Sequence, residues 1–179
     1  VNNMKYLFYN CSSLTSIDLS NFDTSNVIDM KYFFYHCSSL SSLDLASFNT
    51  SNVKDMMHMF SYCTSLKSIN FGETKPNSLV YMDYMFFECN LLKSLDLSNF
   101  NIKSVENLSY MFHGCYSLTS LELGVFNTSF VKDMNYIFYN CSSLSSLNLN
   151  NFNTLLISND EHMFDNCTKL QNLDGLRNW

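Results

Sequence analysis

Cysteine stands at positions 11, 37, 63, 89, 115, 141 and 167, so every gap between neighbours is 26 residues. A chain spaced in this way is one short unit written seven times without insertion. A fixed period of this size marks a solenoid, in which each unit stacks on the next to bury a face it cannot bury alone. The other columns keep the same register. Three residues before each Cys stands a Phe: Phe8, Phe34, Phe60, Phe86, Phe112, Phe138 and Phe164. Three residues after it stands a Leu, from Leu14 to Leu170. The pattern predicts a single solenoid over 1–179, with units 4–29, 30–55, 56–81, 82–107, 108–133 and 134–159 and a partial seventh over 160–179.

Composition narrows the class. Hydrophobic residues make up 46% of the chain, ample for a core, yet mean hydropathy is only −0.06 because Ser, Asn and Asp fill the positions between. Four Gly and one Pro leave no room for a flexible linker. No apolar run approaches a membrane span. The chain starts inside a unit at Val1, with no signal segment and no polar cap, and reads as a piece of a longer protein. A net charge of −6 and a pI near 5.0 argue against a nucleic-acid partner, which calls for clustered Lys and Arg.

Within a unit, Leu40-x-x-Leu43-x-Leu45 ends in the alternation of a strand, with Leu43 and Leu45 inward and Ser42 and Asp44 outward. Stacked strands predict a parallel sheet along one side of the coil. Phe48-Asn49-Thr50-Ser51-Asn52 reads as a turn whose polar side chains bond nearby backbone. Val53, Met56, Met59, Phe60 and Cys63 recur at helical spacings, and Asn52 with Asp55 resembles a helix start. The expected fold is therefore α/β: one short parallel strand, an extended return and a short helix near 56–62 in every turn.

The phrase Met-x-x-Met-Phe-x-x-Cys-x-Ser-Leu-x-x-Leu-Asp-Leu-Ser-x-Phe-Asp-Thr-Ser-x-Val, clearest in 30–56 and 134–152, resembles the 26-residue tandem repeat of bacterial surface proteins and lipoproteins. These form the BspA-like class of leucine-rich-repeat proteins. The resemblance covers essentially the whole chain. It implies a leucine-rich-repeat solenoid at the cell surface or secreted, with adhesion or protein binding as its role and no enzymatic activity. It transfers no ligand-contact residues. Two departures stand out. Where commoner leucine-rich repeats place Asn, this chain has Phe22, Phe48, Phe100, Phe126 and Phe152, so neighbouring polar residues must satisfy the turns. The third unit loses the pattern over 72–77, with Thr74 in place of the Phe.

Four groups are candidates for function or for packing. On the strand face, Ser42, Ser94 and Ser120 adjoin Asp18, Asp44, Asp96 and Glu122. This strip suits basic proteins or weak Ca²⁺ binding, or it simply solvates a sheet and discourages aggregation. An aromatic column comprises Tyr6, Tyr32, Tyr84, Tyr110 and Tyr136, with His58 and His162 substituting. A second column holds Tyr9, Tyr35, Phe87, His113 and Tyr139. One of the two is expected to face solvent as a protein-binding ridge; the alternative is that the rings stack and shield the core. Lys67, Lys75, Lys93 and Lys103 are the only basic concentration, either a patch or drift around a tolerant loop. The column Cys11, Cys37, Cys63, Cys89, Cys115, Cys141 and Cys167, with Phe34, Phe60, Phe86, Phe112 and Phe138, reads as structural core made of free buried thiols and rings.

No Cys-x-x-Cys pair, phosphate loop or catalytic triad stands out, so neither metal, cofactor nor enzyme is expected. The expected role is a surface protein-binding or adhesion module. The alternative is a structural stalk or a self-assembling surface-layer component.

Overall fold

The computed structural model of the chain describes residues 1–175. The end of the seventh unit, 176–179, lies outside the described residues. Alternation of Ser, Leu and Asp produces six three-residue strands: β1 Ser42–Asp44, β2 Ser68–Asn70, β3 Ser94–Asp96, β4 Ser120–Glu122, β5 Ser146–Asn148 and β6 Asn172–Asp174. Successive side chains of a strand point to opposite faces. The central Leu or Ile of each strand accordingly turns into the coil, and its polar neighbours turn out.

The sheet is not continuous. Parallel, in-register pairing joins β1 to β2, β3 to β4 and β5 to β6, and these two-stranded ribbons do not pair with one another. Glycine supplies the reason. Each closed pair ends in a glycine of the second strand's unit: Gly72, Gly124 or Gly175, all at positive φ. A Cβ on Gly72 would lie 2.7 Å from Ala46 Cβ, and one on Gly124 would lie 2.6 Å from Ser98 Cα. The closed pairs bring backbones together at a distance only glycine tolerates. Where the next unit carries Ala46, Ser98 or Asn150 after its strand, the ladder stays open.

The expected helix near 56–62 is absent, as is any α-helix among the described residues. The segment is a run of tight turns. In the second unit the N–H groups of Phe33, Tyr35 and Cys37 turn back to the carbonyls of Met30, Tyr32 and Phe34 at 3.1–3.2 Å. The alternate N–H groups of Met30, Tyr32, Phe34 and His36 donate instead to Asp55, Met57, Met59 and Ser61 of the next unit at 2.8–3.0 Å. Tyr32 and His36 both sit at a φ of 57°, and equivalents recur in every unit. Each left-handed step reverses the chain's helical sense. Apolar side chains still fall three and four apart, which is why the spacing imitates a helix. A true helix would keep its N–H groups within the segment and leave none for the neighbouring turn.

Between turn runs and strands, polar side chains satisfy the corners. Asp29, Asp55, Asn107 and Asp133 accept the N–H two residues on at 2.8–3.0 Å. Thr24 and Thr128, both buried, bond the backbone of Asn49 and Asn153 in the following unit. These side chains do the work that an Asn ladder does elsewhere, by bonding local backbone in place of secondary structure.

The core is a set of parallel spines. Phe8, Phe34, Phe60, Phe86, Phe112, Phe138 and Phe164 stack face to face with centroids 5.3–6.0 Å apart. Beside them every cysteine is free. Cys37 to Cys141 are buried, and Cys11 and Cys167 at the ends are partly covered. Each thiol from Cys37 onward donates to the carbonyl of the Phe in the preceding unit, at 3.0–3.3 Å. Burial pushes the Cys37 thiol up to about 12 and Cys167 to about 11, and raises Cys63, Cys89, Cys115 and Cys141 as well. A thiolate is the reactive form of cysteine, so this column is chemically quiet.

The third unit shows compensation. Thr74 replaces a spine Phe, and Phe71 takes a position held by Leu in neighbouring units. The Phe71 ring lies 5.1 Å from Phe100 and 6.2 Å from Phe60, filling the space that Thr74 vacates. Exchanging large and small residues within a core conserves its volume and is tolerated. Two buried hydroxyls, Thr50 Oγ1 and Thr74 Oγ1, have no partner.

Candidate functional site

The turn run sets one aromatic ring at each left-handed position five residues before Cys. Tyr6, Tyr32, His58, Tyr84, Tyr110, Tyr136 and His162 form an unbroken stack with centroids 4.6–5.0 Å apart. The second column lies directly against it. Tyr6 meets Tyr9 at 5.4 Å, Tyr32 meets Tyr35 at 5.3 Å and Tyr136 meets Tyr139 at 5.3 Å. Both columns therefore belong to one band, two rings wide. It is partly exposed along its length and about half-exposed at Tyr6 and Tyr9.

The second column breaks at Ser61, and Tyr62, one residue on, closes the gap. Its ring sits 5.6 Å from Tyr35 and 5.3 Å from Phe87, edge to face with both. Column-by-column reading of the sequence misses Tyr62, because it stands outside the aromatic register. The signal was the small Ser61 between Tyr35 and Phe87 in that column.

Stacking fixes what the band can do chemically. Ring faces are occupied by neighbouring rings, so edges and hydroxyls point outward. Among the described residues, no tyrosine hydroxyl of the band has a protein hydrogen-bond partner; the one bonded tyrosine hydroxyl is that of Tyr116, outside the band. Partial burial raises the Tyr32, Tyr35, Tyr84 and Tyr110 phenols, with neighbouring tyrosines adding to the effect. The band is thus a row of neutral donors and acceptors on an apolar body.

His58 is held neutral within it. Ser61 Oγ gives its only hydrogen to Tyr84 O at 2.6 Å, so it accepts from His58 Nδ1–H at 3.0 Å. Burial drives the imidazole down to about 4, with Lys31 adding to the shift. His113, clamped between Phe87 and Tyr139, is lowered by burial and partly rescued by Glu88 at 3.7 Å.

On the strand face, Ser42, Ser94 and Ser120 and the acids beside them are exposed. The acids are engaged in their own turns. Asp18, Asp44 and Asp96 accept the N–H of Ser20, Ala46 and Ser98 at 2.8–3.0 Å. This bond holds the Asp18 carboxyl below its usual range. Glu122, one carbon longer, makes no such bond. No group of three or more His, Cys, Asp or Glu among the described residues converges as for a metal ion. The four lysines are split between two stations of the coil. Lys67 and Lys93 stand one residue before β2 and β3, whereas Lys75 and Lys103 occupy corner turns.

A coil of short parallel strands closed by turns, with a Leu, Phe and Cys spine at a 26-residue period, is a leucine-rich-repeat solenoid of the bacterial BspA-like kind. The chain belongs to the family described as "Mycoplasma protein of unknown function, DUF285", whose model matches residues 1–93 and again 80–179. Among solved structures it is similar to a leucine-rich-repeat protein of T. pallidum, at 24% identity with a TM-score of 0.62, covering 96% of this chain and 72% of that one. It is also similar to a leucine-rich cell surface protein of Faecalibacterium prausnitzii, at 21% identity with a TM-score of 0.54. That match covers 78% of this chain but 34% of the other, so this chain spans about a third of that protein. No curated protein matches the chain. No helix among the described residues is long and apolar enough to cross a membrane.

Proposed function

We propose that the chain is a non-enzymatic, surface-displayed module that binds a protein partner through the aromatic band. The observation that carries this reading is a partly exposed band of rings, one column unbroken and the second closed at Ser61 by Tyr62, with unpaired hydroxyls. Tyrosine joins a large, rigid apolar area to a polar tip and is enriched where proteins meet. The strand-face acids are a weaker candidate, since each aspartate already serves its own turn. Surface display is supported by the likeness to a protein described as a leucine-rich cell surface protein.

The test is capture of extracellular-matrix and cell-surface proteins with the solenoid as bait. Tyr35→Ser together with Tyr139→Ser places in two units the residue that the third already carries at Ser61, so the fold survives. Capture should fall at least about tenfold, the loss of one good interface contact. The triple change of Asp44, Asp96 and Glu122 to Asn should leave capture intact. The reverse outcome moves the site to the strand face.

A second reading, lateral assembly between copies, is favoured by one patch. Val125, Phe130, Leu155 and Leu156 are exposed at the corner of the fifth and sixth units, where earlier units carry polar residues such as Asn26 and Asn52. Concentration-dependent sedimentation that Phe130→Ser abolishes would support assembly; a monomer at every concentration would exclude it.

A further inference from the structure

The three open joints of the strand face are not equivalent. Between the first and second units, Ser47 Oγ reaches across to Leu19 O at 3.4 Å. Between the fifth and sixth, the carboxamide of Asn151 bonds Gly124 O. Both bridges come from the tenth residue after Cys. In the third joint, between β2 and β3, that residue is Asn99, and its carboxamide has no protein partner. All three open joints form clefts, of about 230 Å³ between the first and second units, 190 Å³ between β2 and β3 and 120 Å³ between β4 and β5.

Of these three clefts, the one between β2 and β3 alone is lined by a buried side-chain group without a partner. Its floor is Ile69, Phe71 and Phe100, and its rim carries Glu73, Asp96 and Asn99. Asp96 spends Oδ1 on Ser98 N, leaving Oδ2 free. Thr74, 5% exposed, lines the same cleft with an unpartnered Oγ1. A buried polar group without a partner carries a desolvation cost that a ligand can remove.

We propose that this cleft is a subsite for one neutral pyranose residue of a glycan. The volume matches roughly six waters at ~30 Å³ each, the room of a single sugar ring and far below that of a drug-sized ligand. Carboxylate, carboxamide and hydroxyl groups serve sugar hydroxyls, which donate and accept at once. The ring edges of Phe71 and Phe100 offer an apolar floor to the sugar's C–H face. No cation lines the cleft, which disfavours acidic sugars and phosphates. The inference is independent of the aromatic band.

The experiment titrates the chain with the methyl glycosides of glucose, galactose, mannose and N-acetylglucosamine at millimolar concentration, reading backbone amide shifts. Saturable shifts at Gly72 and Asn99 with at least one glycoside are expected. Thr74→Val keeps the shape and removes the orphan hydroxyl; it should weaken binding about tenfold, the worth of one hydrogen bond, without lowering the melting temperature. Asp96→Asn keeps the bond to Ser98, as Asn70 and Asn148 do at the same position, and should also weaken binding. A glycopeptide and its deglycosylated form separate a sugar site from a peptide site: only the glycosylated form should shift these amides. The proposal is overturned if no glycoside shifts them, if both variants bind like the parent, or if the bare peptide or glucuronate binds the cleft in preference.

Discussion

The turn face and the strand face of this solenoid use the same backbone differently. On the turn face, four N–H groups per unit donate to the next unit, and the run is unbroken from Met4 to Asp165 apart from a single missing bond at Met82. On the strand face the ladder closes only at alternate joints. The turn face repeats because its requirement is local: an aromatic at one left-handed position and a second left-handed residue four further on, in every unit. The strand face alternates because its closure depends on the neighbour, and only Gly72, Gly124 and Gly175 allow close approach. Continuity therefore resides where tight turns stand in place of helices, and the sheet is the more interrupted side.

The largest expected effect probes the core that both faces share. Cys89→Asp, placing a charge where the thiol is fully buried, should cost at least ~3 kcal/mol and unfold the middle units. Cys167→Asp, at a partly covered end, should cost clearly less. Urea denaturation followed by circular dichroism compares them, and equal losses would contradict nearest-neighbour stacking.

Next in size, Gly124→Val tests the strand face alone. Its φ of 44° and the 2.6 Å approach to Ser98 set a cost of ~2–3 kcal/mol, from backbone strain of ~1–3 kcal/mol and overpacking. Loss of amide protection should be confined to β3 and β4. Protection lost equally on the turn face would show the two sides to be coupled. The converse change, Ser98→Gly, should extend the ladder and slow exchange in β2 and β3.

A smaller effect sharpens the account of the turn face. His58 titrates at 6.5 when unfolded and at about 4 in the stack. The folded state binds fewer protons over that window, so stability present above pH 6.5 is lost as pH falls toward 4. Allowing for its residual solvent contact, the loss is ~1–2 kcal/mol. Burial raises Asp55 and Asp83, which acts in the opposite direction at acid pH. The readout is therefore the difference between the parent and His58→Tyr, which should lack the His58 slope; identical profiles would refute the burial of that ring. Smallest of all, Asp44→Ala removes the turn bond from Ala46 N–H and an exposed bond from the Asn70 carboxamide and should cost ~0.5–1.5 kcal/mol, visible as a shift of a few degrees in melting. No shift would make that carboxylate available for a ligand.

Much of this was legible in the chain. The Cys spacing, the Phe and Leu columns and the alternation of Ser42, Leu43 and Asp44 specify a coil with strands on one side, because a side chain's place in a repeat sets its direction. The helix was misread at Val53, Met56, Met59 and Phe60. Periodicity reports which side chains point inward, and two left-handed residues per unit produce the same three-and-four pattern without helical hydrogen bonds. The candidate sites were legible as columns only. That two aromatic columns make one band, that Tyr62 fills the place of Ser61, and that the lysines divide between two stations depend on distances no spacing contains.

The sequence by itself determined the period, the composition of each spine and the absence of room for linkers, because identical units stacked in step must bury identical side chains. Tertiary structure decided where each N–H group goes, which joints close and which cleft stays open. Those outcomes rest on sub-ångström contacts between neighbouring units, such as a single Cβ at Ser98 or its absence at Gly124, and they come into being only when one turn lies against the next.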